Sequence, residues 1–179
     1  MFILRDGVGD GQIPYVLEHE VAAIEKCFKE CGMEGVKFTY VIVSKRINTR
    51  FFRDGGKASN PPSGTIVDDV VTLPERYLLV LMYRLDSTFY RYDFFLVSQS
   101  VRQGTVNPTS YNVIKDTSGL KPQHLQALTY KLTHLYYNWP GTVRVPAVCQ
   151  YAHKLALLVG DSLNKMPPED KMDNLLYYL

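Results

Sequence analysis

The sequence predicts one domain with a mixed α/β layer fold, and three observations support this. A strand, a glycine turn and an amphipathic helix succeed one another within the first 32 residues, as in a strand–helix crossover. Alternating, β-branched stretches dominate the middle of the chain, and two helical stretches follow beyond residue 121. The 179 residues, with 46% hydrophobic content, suffice for one domain with a core.

The first unit is a strand, a turn and a helix. Residues 2–5 are largely apolar and predict the end of a buried strand, and three closely spaced glycines then predict a tight turn. Apolar residues recur at helical spacing from Pro14 to Phe28, and Gly32 predicts the end of that helix. Residues 36–44 alternate and are β-branched, so they predict the next strand.

The middle of the chain predicts more strands. Paired glycines and prolines predict a loop in residues 51–64. Strands are predicted at residues 64–74, 93–100 and 109–116, and residues 78–97 taken alone predict a hairpin.

Two helices complete the predicted fold. The first covers residues 122–137, and the second runs from Pro146 to about Asn164. In the first helix four leucines share one stripe: Leu125, Leu128, Leu132 and Leu135.

Charge and cysteine content narrow the class of protein. The net charge is +2, so a nucleic-acid-binding surface would have to arise from local clustering. The three cysteines, Cys27, Cys31 and Cys149, are too few for a disulfide framework; we expect buried free thiols in a reducing compartment. The sequence shows no signal-peptide pattern and no apolar run of membrane length, which predicts a soluble intracellular protein with no membrane partner.

Asp6 follows the first predicted strand, in the stretch RDGVGDG. A carboxylate there is either a metal ligand, because neighbouring strand ends converge, or a turn residue that hydrogen-bonds its own backbone. Two-metal hydrolysis needs several acids or histidines around ions roughly 4 Å apart, so this motif alone favours the turn residue. We expect Asp10, Asp68 and Asp69 to be solvated.

His153 lies on the last predicted helix, beside alanine and leucine. A single histidine in such surroundings is more often a buried core residue than a ligand. The other three histidines have charged neighbours and are predicted at the surface: His19, His124 and His134.

The stretch SKRINTRFFRDGGK is locally basic. Its cationic residues, beginning with Lys45 and Arg46, follow a strand and are interleaved with Phe51 and Phe52. Such a strand end can follow a phosphodiester backbone, although charge alone favours a solvated loop.

Several blocks together resemble the C-terminal portion of a Piwi-clade Argonaute. They are RDGVGDGQ, VSKRINTRFF, NPPSGTIVDDVVTLPERY, DFFLVSQSVRQGTVNPTSYNVI, LTHLYYNWPGTVRVPAVCQYAHKLA and the ending NLLYYL. They occur in the family's order and span nearly the whole chain. Ile47 and Asn48 stand where Argonaute-clade members typically have two histidines, which favours the Piwi clade.

The resemblance implies an RNase H-like PIWI domain, an α/β fold whose mixed sheet has flanking helices. It also implies that a small guide RNA, a piRNA, selects a complementary target RNA by base pairing, while the protein holds the backbone and the A-form shape. Slicing members of the family cut the target with two Mg²⁺ or Mn²⁺ ions, held by an Asp, Glu, Asp, His tetrad.

The resemblance assigns roles to individual residues. Asp6 matches the second aspartate of the tetrad and His153 its closing histidine, so both are candidate catalytic and metal-binding residues. Some clade members have lysine in place of this histidine and do not slice. The candidate guide-RNA contacts are Lys45, Arg46, Asn48, Arg50, Tyr136, Asn138, Arg144 and Gln150. The C-terminal Leu179 is expected to place its carboxylate in the interior.

Two departures from the family pattern limit these expectations. The chain begins just before Asp6, so we expect a PIWI domain truncated at its N-terminus, without the first Asp and the Glu of the tetrad. Such a fragment is expected to bind metal unproductively and to be inactive alone. Residues 78–92 interrupt the family's run LPERYDFFLVSQ, and are interpreted as an insertion or a gene-model artefact.

Three functions are compatible with the sequence. In the first, the chain is part of a guide-dependent RNA endonuclease, or slicer, that acts in piRNA-guided silencing. In the second, it is a guide-RNA-binding Piwi module that silences without slicing. In the third, it is a mispredicted product with no independent function. The expected partners are the guide RNA, its target RNA and proteins of silencing granules. The expected location is cytoplasmic, in perinuclear granules, or nuclear.

Overall fold

The chain forms a five-stranded mixed sheet, with the strand order β1-β2-β5-β4-β3. The structure is a computed structural model that describes residues 1–55, 58–72 and 92–163. Its strands are β1 (Phe2–Asp6), β2 (Thr39–Ser44), β3 (Thr65–Val67), β4 (Tyr92–Val97) and β5 (Thr109–Asp116). β1 and β2 are parallel, and the other neighbouring pairs are antiparallel. The predicted mixed sheet is confirmed.

Helices cover both faces of this sheet. After a short 3₁₀ turn, helical backbone runs unbroken through α1 (Ile13–Tyr15), a π-helical segment (Val16–Val21) and α2 (Ala22–Glu30). The later helices are α3 (Pro122–Leu132) and α4 (Ala147–Leu157), and a second π-helical segment (Leu158–Leu163) continues α4. Of the helices described, none is both long and apolar enough to span a membrane.

The two faces of β2 explain why the sheet is the middle layer. Tyr40 and Ile42 point into a cluster that also holds Val16 and Val21 of the first helical segment. The alternate residues Val41 and Val43 belong to a second cluster with Val145 and Cys149, on the side of α4. A strand buried on both faces reads as a continuous apolar run, as this one does.

Some predicted elements have different bounds in the structure. β3 has only three residues, whereas the sequence predicts a strand over residues 64–74. α3 ends at Leu132 rather than at residue 137, because the amide and hydroxyl of Thr133 both donate to the Tyr130 carbonyl and close the last turn. Leu135 therefore lies beyond the helix and is 63% exposed, so its predicted place on the apolar stripe is wrong.

The cysteines were only partly predicted. Cys149 is buried, as expected, but Cys27 and Cys31 are exposed, and the prediction that they are buried is wrong. α2 directs Ile24 and Phe28 toward the core. Positions 27 and 31 share a neighbouring stripe, which the sheet does not cover.

Three predictions concern regions outside the described residues. The insertion or artefact falls on residues 78–92, of which only Tyr92 is described. The hairpin is predicted over residues 78–97, of which only the end of its second strand, residues 92–97, is described. Tyr92 begins β4 and pairs with Val113. The predicted location of the Leu179 carboxylate also lies outside the described part of the chain.

Candidate functional site at the strand ends

One edge of the sheet gathers the termini of four strands. Because β1 and β2 are parallel, their carboxyl ends lie together, with Asp6 in register with Val43. β5 begins at the same edge, where Ser110 pairs with Ser44 of β2. β4 ends there too, since Leu96 pairs with Thr109. Residues that follow these strands are therefore brought close together from distant parts of the sequence.

A cleft of about 780 Å³ opens at this edge, between the strand ends and α4, which packs against β1. It is lined by Leu4, Arg5, Asp6, Gly7, Val8, Gly9, Ser44, Lys45, Arg46, Cys149, Ala152, His153 and Ala156. Four of the sequence-predicted site residues meet here: Asp6, Lys45, Arg46 and His153. Their chemical roles remain predictions.

Asp6 ends β1 and is bound to the neighbouring strand end. Its Oδ2 accepts a hydrogen bond from Lys45 Nζ at 2.7 Å, and the two side chains are 24% and 33% exposed. The motif alone favoured a turn residue bonded to its own backbone. The structure instead places Asp6 in the sheet register, with its carboxylate paired to a lysine across the strand ends.

His153 is exposed on α4, so the prediction of a buried core histidine is wrong. α4 turns Cys149 into the core, while Ala152, His153 and Ala156 line the cleft. The small alanines leave the imidazole open to the cleft. The other histidines, His19, His124 and His134, are exposed as predicted.

The cleft provides only part of a metal site. The carboxylate of Asp6 is a suitable ligand for Mg²⁺ or Mn²⁺, whereas the imidazole of His153 is a less usual one, because these ions prefer oxygen. Within residues 1–55, 58–72 and 92–163, however, no three His, Cys, Asp or Glu side chains are arranged to hold a metal ion. Lys45 also occupies one oxygen of Asp6. The described residues therefore do not suffice for two-metal chemistry.

The basic stretch after β2 divides into a cleft part and a loop part. Lys45 and Arg46 line the cleft, and Arg46 is exposed. Asn48 and Arg50 are also exposed, and Arg50 Nη1 donates to the carbonyls of Ile47 at 3.0 Å and Thr49 at 2.7 Å. Arg50 therefore stabilises its own loop while it presents charge to solvent.

Arg144 is half-buried and joins this basic stretch to the start of β5. Its Nη2 donates to the carbonyl oxygen of Lys45 and, at 3.1 Å, to that of Pro108. Its own carbonyl accepts from Ser98 Oγ at 3.1 Å and Thr109 Oγ1 at 3.0 Å. The resemblance suggested only a guide contact here, and no local sequence signal indicated these long-range bonds.

The remaining candidate guide contacts form a separate group beyond α3. The ring centroids of Tyr136 and Tyr151 are 5.5 Å apart, and Lys154 Nζ lies 5.7 Å from the Tyr136 centroid. Asn138 is exposed and Gln150 is half-buried. None of Tyr136, Asn138 and Gln150 is among the described residues that line the cleft.

Two buried groups were not predicted as part of the site: Cys149, which lines the cleft, and Tyr111, which lies in the same core cluster. Burial and the Asp6 carboxylate raise the pKa of the Cys149 thiol from 9.0 to about 12, although Lys45 opposes this effect. Burial also raises the pKa of Tyr111 well above 10. Cys149 is four residues before His153 on a helix, so helical spacing could have indicated that both lie near the cleft.

Comparisons with known proteins identify the family and the fold. Residues 1–164 match the Piwi domain family. The chain is 56% identical over 182 residues to the Piwi-like protein Siwi of Bombyx mori. This alignment covers 100% of the chain but only 18% of Siwi.

Two solved structures share the fold. The crystal structure of Drosophila Piwi superposes with a TM-score of 0.80 at 48% identity, covering 99% of this chain and 23% of that one. The Kluyveromyces polysporus Argonaute, solved with a guide RNA, superposes with a TM-score of 0.76 at 22% identity. This match covers 99% of this chain and 22% of that Argonaute. The described chain thus has the α/β fold of Argonaute PIWI lobes, and it belongs to the Piwi clade of the Argonaute family.

Proposed function

We propose that this chain binds the sugar-phosphate backbone of a small guide RNA, a piRNA, as part of a Piwi protein that silences complementary RNA. One observation carries the proposal. The fold places Lys45 and Arg46 in the same cleft as Asp6 and His153, at the converging ends of β1 and β2. Family membership supports the class of ligand, and the K. polysporus Argonaute, which shares the fold, was solved with a guide RNA.

The charges of the cleft suit a nucleic-acid backbone. Lys45 has three donors and gives one to Asp6, which leaves it able to bind a phosphate as well. Arg46 is exposed beside it, and Asn48 and Arg50 follow in the same loop. Cationic side chains of this kind bind phosphates independently of sequence, so base pairing by the guide would supply the specificity.

The proposal assigns Asp6 and His153 to target cleavage. They would contribute two ligands to a Mg²⁺ or Mn²⁺ site whose other acidic ligands are not among the described residues. Bound ions of this kind activate water and stabilise the displaced oxygen. With two such donors among the described residues, we expect no cleavage of guide-matched RNA by the 179-residue chain. Metal-dependent cleavage by the purified chain would contradict this.

The binding proposal is tested by titrating the purified chain into a labelled single-stranded RNA at several KCl concentrations. We expect the logarithm of the association constant to fall linearly with the logarithm of the salt concentration, with a slope of about −0.7 for each phosphate contact. An absence of binding at low salt, or an affinity that is independent of salt, would refute the proposal.

The alternative is a guide-binding Piwi module that silences without slicing, through protein partners of silencing granules. The ion pair between Lys45 and Asp6 favours it, because the pair neutralises a carboxylate that metal chemistry would need. A longer Piwi protein that carries this chain and a complete set of acidic ligands would discriminate: the slicer proposal expects Asp6→Asn to abolish cleavage while guide binding persists. Silencing unaffected by Asp6→Asn would favour the alternative.

A further inference from the structure

We propose that Arg144 is a positioning residue: its guanidinium holds the main chain of Lys45, and thereby fixes the cationic side of the cleft, without itself contacting RNA. The inference rests on the proposed function, since it concerns how the RNA-binding cleft is kept in shape. It changes the role that the family resemblance assigns to this arginine.

The hydrogen bonds of Arg144 explain how it would act. Its Nη2 reaches the Lys45 carbonyl directly after β2 and, at 3.1 Å, the Pro108 carbonyl directly before β5. One planar group therefore joins two chain segments that leave the sheet at the same edge. A guanidinium suits this task because its donors have a fixed planar arrangement, which a lysine ammonium lacks.

Arg144 is itself held in place from the other side. Its carbonyl accepts from the hydroxyls of Ser98, after β4, and Thr109, at the start of β5. The side chain is half-buried, and its buried Nε has no hydrogen-bond partner among the described residues. Burial, followed by the charge of Arg50, lowers the pKa of the Arg144 guanidinium. This is the environment of a structural arginine more than of a solvent-facing phosphate ligand.

The contacts form a connected path to the candidate catalytic residue. Arg144 binds the carbonyl of Lys45, and Nζ of the same lysine binds Asp6 at 2.7 Å. If the Lys45 backbone moves, its ammonium loses its fixed position relative to Asp6. Loss of the guanidinium should therefore have the same consequence for RNA binding as loss of the Lys45 ammonium.

The first test needs no RNA. Hydrogen exchange in the free 179-residue chain is compared for wild type, Arg144→Gln, Arg144→Lys and the control Arg102→Gln, which removes the same charge from an exposed site. Both Arg144 variants should exchange about tenfold faster in residues 41–46 and 107–112, while the control should match wild type. Unchanged exchange, or an increase spread evenly over the whole sheet, would overturn the proposal. If Arg144→Gln fails to fold, the comparison is made with Arg144→Lys alone.

The second test uses the salt dependence of RNA binding. Arg144→Gln and Lys45→Met should each reduce the slope by about 0.7, and the double variant should show no larger loss, because both changes remove one and the same phosphate contact. If the slope of the double variant is instead reduced by about 1.4, Arg144 contacts the RNA itself and the proposal is overturned. If the wild-type chain binds no RNA, the proposed function fails, while the exchange experiment still decides whether Arg144 holds the strand ends.

Discussion

Lys45 Nζ lies 2.7 Å from Asp6 Oδ2 and so joins the carboxyl ends of two parallel strands. The contact links a candidate catalytic carboxylate to a candidate guide-binding cation. Because the two charges are paired, a substitution at either residue leaves the other charge without this partner, and the cleft has to be treated as one electrostatic unit.

The ion pair should make a measurable contribution to stability. Asp6→Asn and Lys45→Met should each destabilise the chain, and the double variant should be less destabilised than the sum by about 0.5–1 kcal/mol, because both side chains are partly exposed. Urea unfolding of the four proteins gives the coupling. Strictly additive effects would show that the pair is not formed in solution.

The hydroxyl of Tyr40 should stabilise the contact between the sheet and the first helical segment. Tyr40 is 2% exposed and donates to Glu20 Oε2 at 2.6 Å, and Arg5 Nε donates to the same oxygen at 3.0 Å. Tyr40→Phe should lower the free energy of unfolding by about 1–2 kcal/mol. The control Tyr15→Phe removes a hydroxyl from a ring that is 59% exposed and should change it little. Equal effects of the two substitutions would contradict this account.

The chain should lose stability in alkaline solution, in part through Cys149. The pKa of its thiol is raised from 9.0 to about 12 by burial, so above pH 9 the unfolded state releases a proton that the folded state retains. The free energy of unfolding should therefore fall as pH rises from about 9 toward 12. Cys149→Ala should flatten part of this decline, and buried tyrosines such as Tyr111 should account for the rest. If wild type and Cys149→Ala show the same pH dependence of the free energy of unfolding in urea, the account of a buried, protonated thiol is contradicted.

Thiol accessibility should differ sharply among the three cysteines. Cys27 and Cys31 are exposed and Cys149 is buried, so a thiol reagent should label two sites in the native chain and the third only after denaturation. Mass spectrometry of the labelled peptides identifies the sites. Rapid native labelling of Cys149 would mean that α4 does not bury its thiol in the core cluster as described.

The sequence patterns predicted the helices and strands better than they predicted which of their residues are buried. Strand alternation and helical spacing identified β1, β2, β5 and both late helices, because those signals are local. They did not show which helix face meets the sheet, and so misassigned Cys27, Cys31 and His153. The short β3 shows the same limit, since its length depends on pairing with β4 rather than on its own residues.

The candidate site depended more on resemblance than on local pattern. Taken alone, Asp6 favoured a turn residue and His153 a core residue, and only the family motifs associated them with one site. The contact between Arg144 and Lys45 joins residues 99 positions apart and has no local signature. Such a contact follows from how the ends of β2 and β4 and the start of β5 meet at one edge, which a single sequence does not specify.

The most direct test of the central claim is the salt dependence of RNA binding by wild type, Lys45→Met, Arg46→Gln and the control Lys26→Gln. Lys26 is exposed on α2 and pairs only weakly with Glu30 at 3.6 Å, outside the cleft. We predict that each cleft substitution reduces the slope by about 0.7 and that the control leaves it unchanged. Equal slopes in all four proteins would show that RNA does not bind at the ends of β1 and β2.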